Sequence, residues 1–348
     1  MRKSIDKKKL IRRTLQSLPI SLAAIVVVMY GLSFVPSSTD DMAKSVAVVE
    51  RRSFYEISQG DKAVAWFREI GDSIEPQGLS ASKDSEATQK ATVCGFWVNR
   101  YPVLPSCRGR MIIAATTDKS LPLLSKADKE AQTLVAKGIN TIERKAKRLT
   151  KKADELKYYL SVHNVSDQGY NAMAAYEDKV AMAKIEADKL VATLRQAQEK
   201  GQLKIRHKVE YALIYKDEDG KVRRKVCRDI TAKGGTPFRV IQTEDEEKPE
   251  GAVALYPHYR MMPTPKVGDT IMAAAYPAMS QAGSNLGKAK ATVFPGTIGH
   301  SLKYDMPRMF APDGAPLFSQ RGFLIGISLQ GGVSKTTELG FGLNKLLK

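Results

Sequence analysis

The chain opens with an apolar run from Leu15 to Val35 that carries no charged residue. At 1.5 Å per residue its roughly 20 residues would cross a hydrocarbon core of about 30 Å. Seven basic residues precede it (Arg2, Lys3, Lys7, Lys8, Lys9, Arg12 and Arg13) against one acid, Asp6, and Pro19 lies near its start, where a helix tolerates proline. This pattern predicts a cytoplasmic basic tail over 1–14, a transmembrane signal anchor over 15–35, and export of everything that follows. A cleaved signal peptide is the rival reading. The length of the run and the absence of small residues at Phe34, Val35 and Pro36 favour an uncleaved anchor. Residues 36–89 begin and end in polar, turn-rich stretches, and AVAWFREIGDSI (63–74) has apolar positions at helical spacing. An exported spacer with one short helix is expected there.

From Ala91 the pattern changes to strands, with ATVCGFWVN and RMIIAATT short, β-branched and bounded by turn residues. It then switches to helical periodicity over 124–204. Ala131, Val135, Gly138, Ile142, Ala146, Leu149, Ala153, Leu156 and Leu160 form one seam, with an extra residue of drift. Met173, Tyr176, Val180, Ala183, Ala187, Leu190, Leu194 and Ala197 form a second. SVHNVSDQG between them holds the turn signals, so two helices folding back as an antiparallel coiled-coil hairpin on the order of 50 Å long are expected. One continuous helix pairing with another chain is the alternative. After Gln202 strands return: a hairpin around Asp219-Gly220, then GAVALYP, TIMAAAYP, KATVFPGTIG and PLFSQRGFLIGISL. The expected fold is mainly β, a barrel or sandwich over 90–123 and 205–348, with the helical hairpin (124–204) inserted.

Composition narrows the chemistry. Hydrophobic residues at 43% and charged residues at 26% exclude a disordered or collagen-like chain. Lys and Arg number 55 against 37 Asp and Glu, a net charge of +18. Four histidines and three cysteines, with no CxxC or HxxxH, leave little to build a zinc site, and no metal or cofactor is expected. In an exported protein Cys94 and Cys107 could pair and leave Cys227 over, and three buried thiols are the equal alternative.

Several segments resemble the trypsin-like (chymotrypsin-fold) serine peptidases, particularly bacterial exported ones. VGDTIMAAAYP (267–277) is similar to their V-G-D-x-V-x-x-x-G-Y-P strand, GTIGHSLKYD (296–305) to the glycine-bearing strand after it, APDGAPLF (311–318) to the nucleophile loop G-[DN]-S-G-G-P-L-F, and GFLIGI (322–327) to the strand beyond. VCGFWVN resembles the G-S-G-F-x-V-N strand, MIIAATTD the strand ending in the catalytic-histidine turn, and GAVALYP the D-[LI]-A-[LV]-L strand. The resemblance implies two β-barrels meeting along a cleft.

It does not bring the catalytic groups. A serine peptidase needs a hydroxyl nucleophile, an imidazole base and an orienting carboxylate. The alignment puts Asp313 at the nucleophile, Thr117 at the histidine and Ala252 at the acid, and no histidine precedes His163. Ala311 replaces an oxyanion-hole glycine and Pro312 has no N–H to donate. The resemblance therefore implies a trypsin-like fold without trypsin-like catalysis, a pseudopeptidase. The Asp313 carboxylate could plug the oxyanion hole by accepting its N–H groups, or Asp313 with Gly314 could complete a tight turn.

Other candidates are weaker. His258 and His300 could face a remnant cleft, and hydrogen-bonded structural roles suit them better. His163 and His207 are expected to be solvated. Ser301, Ser319 and Ser328 follow no strained glycine elbow. Arg144, Lys145, Lys147, Arg148, Lys151 and Lys152 form a basic cluster on the first hairpin helix, suited to an acidic partner or anionic lipid, with a solvated face as the plainer account. No nucleic-acid-binding motif accompanies it. TEDEEKPEG (243–251) is an acidic counterpart. The functional expectation is a membrane-anchored pseudopeptidase that binds a protein or peptide in the cell envelope, through the cleft (Asp313, Gly314, His300) or the hairpin. The alternatives are an active peptidase with a non-standard site and a structural spacer, with the hairpin as a possible homo-oligomerisation arm.

Overall fold

The computed structural model describes residues 23, 24, 27, 28, 31, 35–72, 74–101, 105–115, 128–231, 237–257, 264–277 and 290–335. Two compact units emerge. One combines residues up to Arg51 with 91–117 and the chain from Tyr211 onward, and the other combines 52–90 with 118–210.

The first unit begins with α1 (Thr39–Lys44), started by a capping box in which the Ser38 hydroxyl accepts the Asp41 N–H and the Asp41 carboxylate accepts the Ser38 N–H. A ring of strands follows from β1 (Val46–Gln59), β5 (Gln89–Trp97), β6 (Arg110–Ala114), β7 (Leu203–Lys216), β8 (Val222–Asp229) and β9 (Phe238–Thr243), in the order β1-β5-β6-β9-β8-β7 and closed by β7 pairing back to β1. Strands β1, β5 and β7 each contribute residues to both units. A second ring uses β10 (Thr270–Ala275), β11 (Thr292–Thr297), β12 (Pro316–Ser319), β13 (Leu324–Leu329) and β14 (Gly332–Lys335), ordered β11-β10-β12-β13-β14. Bridges from Ile298 to Tyr304 and from Lys303 to Gly332 close it. Counting Lys303–Tyr304 as the third strand, both rings run 1-2-3-6-5-4 in chain order, the same Greek-key closure used twice.

Alternation explains why MIIA and TIMAAA read as continuous apolar runs. Met111 and Ile113 fill the first ring with Trp97, Leu213 and Ile241, while Ile112 faces the other way, into a core with Phe96, Val240, Ala274, Phe318 and Ile327. Ile271 and Ala273 point into the second ring with Leu317 and Ile325. Strands buried on both faces carry no polar alternation.

The second unit holds β2 (Lys62–Phe67), β3 (Glu69–Ile70), β4 (Pro76–Gln77), α2 (Asp128–Val162) and α3 (Tyr170–Lys200). The two long helices form the expected hairpin, turning through 163–169, where the Asp167 carboxylate accepts the Asn164 N–H. Glu143 pairs with Arg195 near the base, and Lys152 lies over the Tyr176 ring further out, so the helices run antiparallel. The seam residues Ala131, Val135, Ile142, Ala146, Ala187, Leu190, Leu194 and Ala197 are buried with Tyr55, Phe67 and Ile205. Nearer the tip Met173 and Tyr176 are exposed. Gly138 sits where β4 crowds α2: a Cβ there would lie 2.9 Å from both Leu79 Cδ2 and Pro76 Cγ.

Two expectations need correction. The helix expected over 63–74 is strand: β2 pairs antiparallel with β1, Trp66 opposite Glu56 and Ala65 opposite Ile57, because its apolar residues pack on a partner strand rather than along one helical face. Residues 36–89 are not a plain spacer either, since β1 supplies a ring strand. Of the two cysteine readings the second holds: Cys94, Cys107 and Cys227 are free and buried, and Cys94 does not pair with Cys107. The expected anchor lies largely outside the described residues. Within it Ala23, Ala24, Val27, Val28 and Gly31 are helical and exposed. Among the described residues, no helix is long and apolar enough to cross a membrane.

Candidate functional site

The loop from Pro307 to Ala315 leads into β12 and is held from beneath. The Ser328 hydroxyl, fully buried on β13, donates to the Ala311 carbonyl at 2.9 Å, and the Tyr304 hydroxyl reaches Ser328 Oγ at 2.5 Å and the same carbonyl at 3.2 Å. Burial pushes the Tyr304 phenol above its ordinary pKa, the Ser328 contact opposes this and the charge of Asp313 adds to it. Backbone bonds continue the clamp, with the Gly314 N–H donating to Ser328 C=O at 2.9 Å and the Ser328 N–H to Ala315 C=O at 2.8 Å.

At the tip, Gly314 adopts φ +93°, and a Cβ there would meet the Cys94 carbonyl oxygen at 2.1 Å and the Ala114 nitrogen at 3.1 Å. Only glycine lets the second ring's loop touch β5 and β6 this closely. Beside it the Asp313 carboxylate accepts the Gln330 N–H at 2.7 Å. That amide belongs to the two-residue turn joining β13 to β14, where Gln330 (φ 51°) and Gly331 (φ 75°) are both left-handed, as a type I′ turn requires. The carboxylate therefore ties the loop to the neighbouring hairpin rather than accepting the loop's own N–H groups. The Ala311 N–H donates to Pro307 C=O at 3.2 Å.

The other aligned positions fare differently. Thr117 lies outside the described residues. Ala115, just before it, donates its N–H to Pro237 C=O at 2.8 Å. Ala252 is not on a ring strand: the strand beside β6 is β9, with Ile112 opposite Val240 and Ala114 opposite Phe238. GAVALYP adds an isolated bridge from Leu255 to Val98 and a bond from the Val253 N–H to Lys44 C=O. Ala252 instead lines a cavity of about 190 Å³ with Trp97, Leu213 and Tyr276, and its carbonyl accepts from Lys248 Nζ at 2.5 Å. The strand beside β6 is thus β9, and its sequence from Phe238 to Thr243 contains no carboxylate. Pairing with β6 selects between the two short apolar segments, and that choice is long-range.

His300 is exposed on a short 3₁₀ turn, and among the described residues no hydrogen bond or ion pair joins it to Asp313 or Gly314. His258 lies outside the described residues. His163 packs on the Tyr159 ring at 3.9 Å and His207 on Tyr55 at 5.0 Å. The Ser319 hydroxyl accepts the Phe323 N–H, and Ser301 holds φ 56° at the surface. Burial raises all three thiols, Cys94 to about 12 and Cys227 to about 11, so none is a ready nucleophile.

On the hairpin all six basic residues are exposed, and Lys152 reaches across to the Tyr176 ring of the other helix. Arg144 lies 3.7 Å from Glu75 and Lys145 3.5 Å from Glu86, which leaves Lys147, Arg148 and Lys151 facing water. The acidic loop is engaged within its own unit, Asp245 by Lys225 at 2.5 Å and Glu246 by Arg108 and Arg228. The sequence reading missed the roles of Tyr304, Ser328 and Gln330. Their hydroxyls and amide act through partners 7 to 24 residues away, and no local pattern marks them.

No protein-family model and no curated protein matches the chain. Among solved structures it is similar to Deg5, at 11% identity and a TM-score of 0.32 over 82% of this chain and 80% of that one. An inactive form of Rv3671c from M. tuberculosis H37Rv is similar at 10% identity and a TM-score of 0.34, over 90% and 96%. The MamO protease domain from Magnetospirillum magneticum is similar at 19% identity and a TM-score of 0.25, over 36% of this chain and 68% of that one.

Proposed function

We propose that this chain is a membrane-anchored trypsin-like pseudopeptidase, a binding module that holds a protein or peptide in the cell envelope without cutting it. The observation that carries the reading is the state of the loop 311–318. It lies between two rings of identical strand order, carries a carboxylate at the nucleophile position, and has that carboxylate bonded to Gln330. The aligned positions are short of the groups that acyl transfer uses. The loop 311–318 carries no hydroxyl to attack, and β9, the described strand beside β6, brings no carboxylate to orient a base. Of the loop amides that would face an oxyanion, Pro312 has none and the Ala311 N–H is already donated to Pro307. Backbone groups suited to an extended chain survive such losses, so binding outlasts catalysis.

The test is a hydrolysis assay on an unfolded protein substrate, run beside a peptide-array binding assay with the full chain. No cleavage is expected from the wild type or from Asp313→Ser, because restoring one group does not supply a base. Reproducible cleavage abolished by replacing one residue would overturn the reading. Cross-linking in native membranes, with and without residues 124–204, separates a cleft interface from a hairpin interface.

A further inference from the structure

On the first ring, strand register sets Arg110, Gln242 and Arg228 directly opposite one another across β6, β9 and β8. Trp97 lies opposite Met111 and the Val98 N–H donates to Arg110 C=O; Arg100 follows just beyond the end of β5, Arg108 sits in the turn before β6, and both charges act on Arg110. Alternation puts Arg110 on the side of Ile112, and Gln242 on the side of Val240, away from the residues that fill the ring. Four guanidinium groups thus gather on one outer patch.

Among the described residues a single carboxylate serves them. Glu246 accepts from Arg108 at 3.0 Å and from Arg228 at 2.7 Å. Buried Gln242 locks the arrangement, its amide oxygen accepting from Arg228 at 3.2 and 2.8 Å and its amide nitrogen donating to Arg108 C=O at 2.7 Å. The neighbouring Asp245 is taken by Lys225. Two arginines are left over. The Arg110 Nε is buried with no hydrogen-bond partner, and Arg100 rests over the Tyr101 ring at 5.2 Å. Burial, then the charges of Arg100 and Arg108, lower the Arg110 pKa, with Glu246 opposing them. Like charges packed on a folded surface with an unused buried donor are what an oxyanion resolves. Arg108 and Arg228 already share a planar carboxylate in Glu246, whereas a tetrahedral phosphate has acceptors enough for several guanidinium groups.

The geometry points to a phosphate-binding site on the first ring, in which Arg100, Arg108 and Arg110 hold the phosphate group of a ligand and Gln242 with Glu246 fixes the frame. It is separate from the loop 311–318 and does not depend on the proposed function.

The experiment follows thermal unfolding of the full chain in neutral detergent against inorganic phosphate, against glycerophosphoglycerol as a soluble lipid headgroup, and against sodium chloride at equal ionic strength. Phosphate or the headgroup is expected to raise the unfolding temperature where chloride does not. Arg110→Gln and, separately, the half-buried Arg100→Gln are expected to weaken the affinity about tenfold or more, one charged hydrogen bond being worth that much. The hairpin double variant Lys147→Gln/Lys151→Gln leaves it unchanged. A response to the headgroup alone assigns a phospholipid source, and one to inorganic phosphate assigns a free phosphate. Equal behaviour of all three solutes, or full affinity in both arginine variants, would overturn the site.

Discussion

The carboxylate of Asp313 and the backbone N–H of Gln330 meet at 2.7 Å, and this bond joins the position of a lost nucleophile to the tip of the β13–β14 hairpin. A charged acceptor on an amide is worth about 1.5–3 kcal/mol, and Asp313 is half exposed to solvent, so the lower end applies. Asp313→Ala is expected to destabilise the first unit by about 1–2 kcal/mol. Asp313→Asn keeps an acceptor and should lose less. Denaturant unfolding of the three proteins checks this, and equal stability would mean that the bond contributes nothing.

The buried thiols give a pH dependence whose sign can be worked out. Burial holds Cys94 protonated up to about 12 and Cys227 up to about 11 in the folded chain, while an exposed thiol titrates near 9. As pH rises past 9 the unfolded chain loses protons that the folded chain keeps, so unfolding becomes easier. Stability should therefore decline between pH 9 and 11, less steeply in Cys94→Ala once its packing loss at neutral pH is subtracted. The same burial makes all three thiols slow toward a thiol reagent until the chain unfolds.

What could be read from the sequence depended on how local each signal was. The hairpin was legible because its seam repeats within the segment itself, and the buried positions from Ala131 to Leu156 follow it. β6 and β10 were legible as uninterrupted apolar runs. β1 was not, since Glu50, Arg51 and Arg52 break its pattern and a bulge at Ile57/Ser58 shifts its register. β2 has too few residues to separate a strand from one helical turn. The most instructive miss is β9: FRVIQT and GAVALYP are equally plausible strands, and only pairing with Met111 and Ile112 chooses the first. At the site, Asp313 was visible as a substitution, but its partner Gln330 was not.

Gly138 sets two effects of opposite sign against each other. Helix propensity alone says that Gly138→Ala should stabilise α2 by about 1 kcal/mol. The added methyl would meet Pro76 and Leu79 at 2.9 Å, closer than side-chain carbons tolerate. Leu79 can turn aside, but the Pro76 ring cannot, so overpacking at about 1–3 kcal/mol outweighs propensity. The variant is expected to unfold at lower denaturant than the wild type. A gain in helical stability instead would show that β4 yields easily and that its contact with α2 is weak.

The hairpin itself should be unevenly stable along its length, and this bears on which part of it can meet a partner. Leu194 is fully buried near the base, among Leu134, Val135 and Leu203, so Leu194→Ala leaves a cavity costing about 2–5 kcal/mol. Tyr176 is 40% exposed near the tip, and Lys152 Nζ lies over its ring at 5.0 Å. Tyr176→Ala removes that exposed contact, worth about 0.5–1 kcal/mol. Hydrogen exchange should show the same gradient, with amides of Leu190 and Leu194 protected longer than those of Met173 and Tyr176. Uniform protection along α3 would contradict this, because it would mean that the tip is held as firmly as the base despite burying so much less.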